Sequence, residues 1–180
     1  MTTVLEYLLG AGILGVLVTQ IATWVRAELE RRRERNGLLR ILFTEVSSHR
    51  GPIKSLCFFF EQAKQGDPKA EKHSRSAPPV FFESMETETW QDTRVKLAQD
   101  LSSQEFASLA SYYRVLLSGK EIAAKDMESP DTYRTVRFAV NRLHELGQEV
   151  DQVIHAHVPD LVEDELTDED LSRLDYTEDL

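Results

Sequence analysis

Residues 7–25, beginning at Tyr7 and ending at Val25, form a run of nineteen without a charge, and Arg26, Arg31, Arg32, Arg33, Arg35 and Arg40 follow it directly. As a helix rising about 1.5 Å per residue, that run covers roughly 28 Å, close to the hydrocarbon thickness of a bilayer. A segment this long and apolar constrains a chain of 180 residues strongly, because little remains to bury it. The expectation is an N-terminal transmembrane helix over residues 1–25, centred near Gly15. Tyr7 and Trp24 stand near its two ends, where amphipathic aromatics sit at membrane interfaces.

A cleaved secretory signal has a basic leader, a shorter apolar core and a small-residue cleavage site. Here no Lys or Arg precedes the run, Glu6 does, and it leaves through Thr23-Trp24-Val25-Arg26, so a retained signal anchor is expected. Lys and Arg are absent on the amino side and six arginines lie within fifteen residues on the carboxyl side. By the positive-inside rule the N-terminus faces out and the bulk of the chain faces the cytoplasm. Glu28, Glu30 and Glu34 reduce the net charge of that stretch to +3, which makes residues 26–37 a topology signal more than a lipid clamp. Ala11, Gly15, Thr19 and Thr23 recur at every fourth position. Such a strip admits a second span and a homodimer, although small residues are also common in membrane helices generally.

The rest of the chain suffices for one core. The net charge of −10 is concentrated at the C-terminus, where residues 158–180 hold ten acidic residues against Arg173 alone. The remaining body, with 20 basic against 21 acidic residues, offers no phosphate-tracking surface and excludes broad nucleic-acid binding. A single cysteine, Cys57, rules out an internal disulfide and paired-thiolate zinc sites. Within Leu56-Cys57-Phe58-Phe59-Phe60 it reads as a small buried hydrophobe.

Helical spacing organises the body. Leu38, Leu39, Leu42, Phe43 and Val46 share one side of a helix, with Arg40, Glu45 and Ser48 elsewhere. Asn36-Gly37 is a candidate interruption before it, and Gly51-Pro52 a stop or kink after it. Ile53, Leu56, Cys57 and Phe60 then form a second stripe, which Phe58 and Phe59 widen. Residues 66–79, rich in Gly, Pro, Ser and basic side chains, read as a mobile loop. Trp90, Leu97 and Leu101 mark a third helix. Ser102 and Glu105 form a capping box for a fourth, which carries Phe106, Leu109, Tyr113 and Leu116. Ser129-Pro130 opens a fifth, with Tyr133, Val136, Val140, Leu143, Val150 and Ile154, and Pro159 ends it. No strand alternation occurs between these segments. The fold class is therefore all-α: one N-terminal transmembrane helix, then a cytosolic bundle of about four helices over residues 38–158, then an acidic tail over residues 159–180. In that tail Thr167 and Asp170 suggest one short helix.

Motifs that dictate chemistry are missing. None of His49, His73, His144, His155 and His157 has Glu three positions before it, so the di-metal carboxylate pattern of helical bundles fails, and no metal or cofactor is expected. The phosphate cradles G-x-x-x-x-G-K-[ST] and G-x-G-x-x-G and the elbow G-x-S-x-G do not occur. Glu45 with His49, and Asp151 with His155, are four apart and suit hydrogen bonds along a helix surface. Trp90, Tyr112 and Tyr113 suit a core, or a ligand pocket.

The segments GLLRILFTEVSSHRGPI and ETWQDTRVKLAQDLSSQEFASLASYYRVLL resemble a loose group of uncharacterised bacterial single-span membrane proteins with a basic juxtamembrane run and a small cytosolic helical domain. The resemblance spans roughly residues 5–125 and implies a bacterial inner-membrane setting; it transfers no activity or catalytic residue. The functional expectation is a non-enzymatic, membrane-tethered interaction or scaffold module with a protein partner. Phe58 and Phe59 form one candidate docking surface and Asp164, Glu165 and Asp168 of the tail another, against the plainer reading of a solubilising tail. The alternative is a small-molecule or lipid sensor or enzyme whose pocket, near Trp90, His49 or His144, lies inside the bundle.

Overall fold

A computed structural model of the chain describes the backbone of residues 2–161 and the side chains of residues 15–161. Among the described residues the fold is all-α, with five helices and no strand: α1 (Thr2–Lys64), α2 (Pro68–Ser84), α3 (Glu88–Asp100), α4 (Ser103–Ala123) and α5 (Pro130–His157). The chain divides into two compact units, one of residues Met1–Gly37 and a second that begins at Leu38.

Among the described residues no helix is long and apolar enough to cross a membrane. The expected transmembrane helix, signal anchor and single-pass arrangement are therefore not supported. Described side chains begin at Gly15, so only eleven residues of the run are covered, about 16 Å of helix and roughly half of a bilayer core. The side chains of residues 7–14, Tyr7 and Ala11 among them, lie outside the described residues.

In the second unit, α1 runs unbroken through Gly51-Pro52, where a stop or kink is expected; Asn36 and Gly37, the candidate interruption at the end of the first unit, are also helical. The reason is a spacing that neither stripe shows alone. Leu39, Leu42, Val46, His49, Ile53, Leu56 and Phe60 alternate steps of three and four, and every one of them is buried. That is one continuous core seam. Burial of a large apolar side chain contributes about 1.5–3 kcal/mol, so six such residues outweigh the roughly 3 kcal/mol that a proline costs inside a helix. The seam stayed hidden because its central position is a histidine.

α5 packs antiparallel to α1. As numbers rise along α1 they fall along α5: Arg40 pairs with Asp160, Phe43 packs edge-on to His155, Arg50 pairs with Asp151, and Glu61 meets Arg137. Val136, Val140, Leu143, Leu146, Val150 and Ile154 supply the buried face of α5. α4 also runs antiparallel to α5, with Glu105 bonded to His157 at one end and Ser108 near Glu149 one turn on. The capping box is present as expected: the Ser102 hydroxyl accepts from the Glu105 amide, and the Glu105 carboxylate accepts from the Ser102 amide. Those bonds, with help from His157, hold the Glu105 carboxyl below the usual carboxylate range.

α2 occupies most of the segment expected to be a mobile loop. Asp67 caps it by accepting from the Lys69 and Ala70 amides, and Pro68 sits at the first turn, where a missing N–H costs nothing. Its buried residues, Ala70, Ser74, Ala77, Pro78 and Phe82, keep helical spacing. Most are small. A strip of that kind adds little hydrophobicity to a sequence window, yet it lets a helix approach a core closely. At Gly119 of α4 the approach is close enough that a Cβ would stand 2.5 Å from the Phe82 ring. Ser74 bonds the Tyr133 hydroxyl at 3.0 Å, and the Arg75 guanidinium lies 4.7 Å over the same tyrosine ring.

Candidate functional site

The most chemically distinctive part of the second unit is a polar cluster inside the bundle, built around Glu45 and His49 of α1. Sequence spacing places Glu45 on the polar side of α1; the structure buries it at 7% exposure. Its carboxylate bridges three elements. Oε1 accepts from the Tyr113 hydroxyl of α4 at 2.6 Å, and Oε2 accepts from the Thr89 amide of α3 at 2.8 Å. The second bond replaces a missing cap, since the side chain of Thr87 at the N-cap of α3 caps no backbone amide and instead accepts from Gln91 Nε2 at 3.2 Å. A carboxylate there also meets the positive end of the α3 dipole.

One turn further along α1, the His49 ring is fully buried and its Nδ1 lies 3.0 Å from the Tyr112 hydroxyl. The ring lies nearly parallel to that of Tyr112 and edge-on to that of Tyr113. Nε2 is buried and has no hydrogen-bond partner of normal geometry among the described residues. Burial lowers the basicity of His49, and Lys120 lowers it further; the backbone of Glu86 and the Glu45 carboxylate oppose them. Burial likewise pushes both tyrosine hydroxyls well above their ordinary range, for Tyr113 reinforced by its bond to Glu45. Both phenols are therefore neutral at physiological pH, and Tyr113 donates to Glu45.

Trp90, directly after Thr89, closes the cluster. Its ring stacks on Tyr113 at 4.8 Å and 1°, and on Phe106 at 5.6 Å. Glu45 and His49, expected to pair on a helix surface, thus each face a different tyrosine in the interior. Tyr112 and Tyr113 are adjacent in sequence and project to these two partners. Nothing local signals that meeting, because the partners stand 63 and 68 positions away.

The other candidate residues are placed as follows. Trp24 is 70% exposed, Val25 is exposed, and nothing stands within 4 Å of a Cβ built at Gly15. The Thr19 and Thr23 hydroxyls donate to the carbonyls of Gly15 and Thr19, each at 2.8 Å. Arg26 and Arg33 are exposed, Arg35 is half-buried, and Arg31 and Arg32 reach Glu28 at 4.0 and 2.9 Å. The Arg32 bond, against an opposing effect of burial and with the charges of Arg32, Arg31 and Arg35 adding to it, lowers the Glu28 pKa. Phe58 is exposed, whereas Phe59 is half-buried and stacks on His73 at 5.4 Å. Asp164, Glu165 and Asp168 lie outside the described residues.

Cys57 is half-buried, and burial first, then Glu61, raises its thiol to about 11. It is protonated at neutral pH and a poor nucleophile. Among the described residues no group of three or more His, Cys, Asp or Glu side chains is arranged to hold a metal ion. His144 is exposed on α5, apart from the cluster that contains His49 and Trp90. Compared with protein-family models, curated proteins and solved structures, the chain matches none.

Proposed function

We propose that this chain is a membrane-tethered helical interaction module, with its bundle at the cytoplasmic face of a bacterial membrane and a protein as its partner. The observation that supports this most is the state of the N-terminal helix. Val16, Leu17, Val18, Ile21, Trp24 and Val25 are all exposed there, on a stretch with no charge before Arg26. Uncovered apolar surface of that kind calls for lipid or another protein. The Thr19 and Thr23 hydroxyls are satisfied by the helix's own carbonyls, the usual arrangement for a hydroxyl entering an apolar phase. Confinement at a membrane raises the effective concentration of the module for any partner held there, which makes the tether itself functional.

Phe58 and the acidic tail are the proposed partner surfaces, and Phe138, 70% exposed on α5, joins them. An enzyme or sensor reading has less support. His49 and Trp90 do converge on Tyr113, but as core rings packed on it, His49 edge-on and Trp90 stacked at 4.8 Å.

The test is alkaline carbonate extraction of vesicles carrying the full-length chain, with a reporter fused after Leu180. Retention in the pellet with the reporter on the cytoplasmic side is expected. Release into the supernatant overturns the tether, and a reporter on the outer side overturns the orientation. Deleting residues 161–180 from the membrane-bound chain is expected to reduce recovery of its partner from detergent extracts; unchanged recovery removes the tail from the docking surface.

A further inference from the structure

We propose that His49 is an acid-sensitive latch that holds the N-terminal end of α3 against α1 and α4. The inference stands apart from the tether, since it concerns only the interior of the second unit. The imidazole occupies a core position of the α1 seam, with Nδ1 on the Tyr112 hydroxyl and Nε2 lacking any bond of normal geometry. A neutral ring suits such a site. An imidazolium does not, because a buried charge is costly unless a counter-charge compensates it.

The groups that face His49 leave one route to compensation. On α1 there is Glu45, four residues away. α4 contributes Lys120, which repels a second cation, and the neutral hydroxyls of Tyr112 and Tyr113. The connection between α2 and α3 contributes only the backbone of Glu86. Asp151 of α5 acts on Tyr112 but is held in an ion pair by Arg50.

Glu45 is therefore the carboxylate to which a protonated His49 turns, and both of its oxygens are already in use. Turning it along α1 withdraws the acceptor from the Thr89 amide and from the Tyr113 hydroxyl together. α3 has no side-chain cap of its own to replace it. Its first turn, including Trp90, then loosens from Tyr113. The sign follows from the direction of the shift. Above the unfolded histidine value of about 6.5 the ring is neutral whether α3 is closed or open, and the latch holds. As pH falls below that value the open form takes up the proton first. The closed form keeps losing stability until the lowered pKa of the closed form is passed.

The chain contains two tryptophans, so Trp24→Phe in the full-length protein makes Trp90 the sole reporter. Between about pH 7.5 and pH 5 its emission is expected to shift red and its acrylamide quenching to rise several-fold, while far-ultraviolet circular dichroism changes little. His49→Leu, which completes the apolar seam, is expected to abolish the transition, and His157→Gln to leave it in place. Should the leucine variant fail to fold, His49→Gln serves as the second variant, and the imidazole titration of His49 in the unmodified chain is followed by NMR; its midpoint must coincide with that of Trp90. A transition that persists unchanged in a folded His49 variant, a mismatch of midpoints, a Trp90 that stays buried throughout, or a collapse of all helices at the same pH overturns the latch.

Discussion

Glu45→Ala is expected to destabilise the bundle by about 3–5 kcal/mol, a large share of the roughly 5–15 kcal/mol that holds a domain of this size. Two donors lose their acceptor at once: the buried Tyr113 hydroxyl and the half-buried Thr89 amide. Each stranded donor costs about 1–3 kcal/mol, and the removed side chain leaves a void between Tyr113 and the first turn of α3. Tyr113→Phe removes only one of the two bonds and is expected to cost less, about 1.5–3 kcal/mol. Because both changes abolish the same bond, the double variant should lose less than the two single losses combined. Denaturant titration of the three variants measures all of this. A loss below about 1 kcal/mol for Glu45→Ala, within the ordinary range of surface substitutions, would show that α3 does not depend on α1 for its cap.

Gly119→Ala is expected to cost about 1–3 kcal/mol, even though alanine is the better helix former by about 1 kcal/mol. The added methyl would meet Phe82 Cε1 at 2.5 Å and Cζ at 2.7 Å, and Phe82 is itself buried, so its ring yields only by displacing packed neighbours. Either the Phe82 ring repacks or α2 moves away from α4, and both cost packing. Gly147→Ala provides the contrast. Its nearest neighbour is the Tyr112 ring at 3.9 Å, ordinary contact, so the gain in helix propensity should appear as about 0.5–1 kcal/mol of added stability. Shortening Phe82 to Leu in the Gly119→Ala background should restore part of the loss. If Gly119→Ala raises the melting temperature as Gly147→Ala does, the close approach of α2 to α4 is wrong.

Some of this architecture is written locally. The Ser102–Glu105 capping box and the Ser129-Pro130 start define the first turns of α4 and α5, because caps act within four residues and need no distant partner. The apolar faces of those two helices follow their sequence spacing closely. Gly51-Pro52 and the prolines of α2 mislead, because a proline's penalty is local while the burial that outweighs it is not. The polar cluster was the least legible. Glu45 and His49 look like surface residues until α3 and α4 bring an amide and two hydroxyls to them.

The amino-acid sequence by itself determined the all-α class, the boundaries of the capped helices, and the charge pattern of a basic run near one end and an acidic tail at the other. These depend on neighbours within a turn or on composition, where each residue's own chemistry decides. Only the tertiary structure decided that α1 passes its proline, that a proline-rich stretch becomes a helix, and that a carboxylate and an imidazole belong inside. In each case an unfavourable local term of a few kcal/mol was overcome by burial and hydrogen bonds supplied from remote parts of the chain.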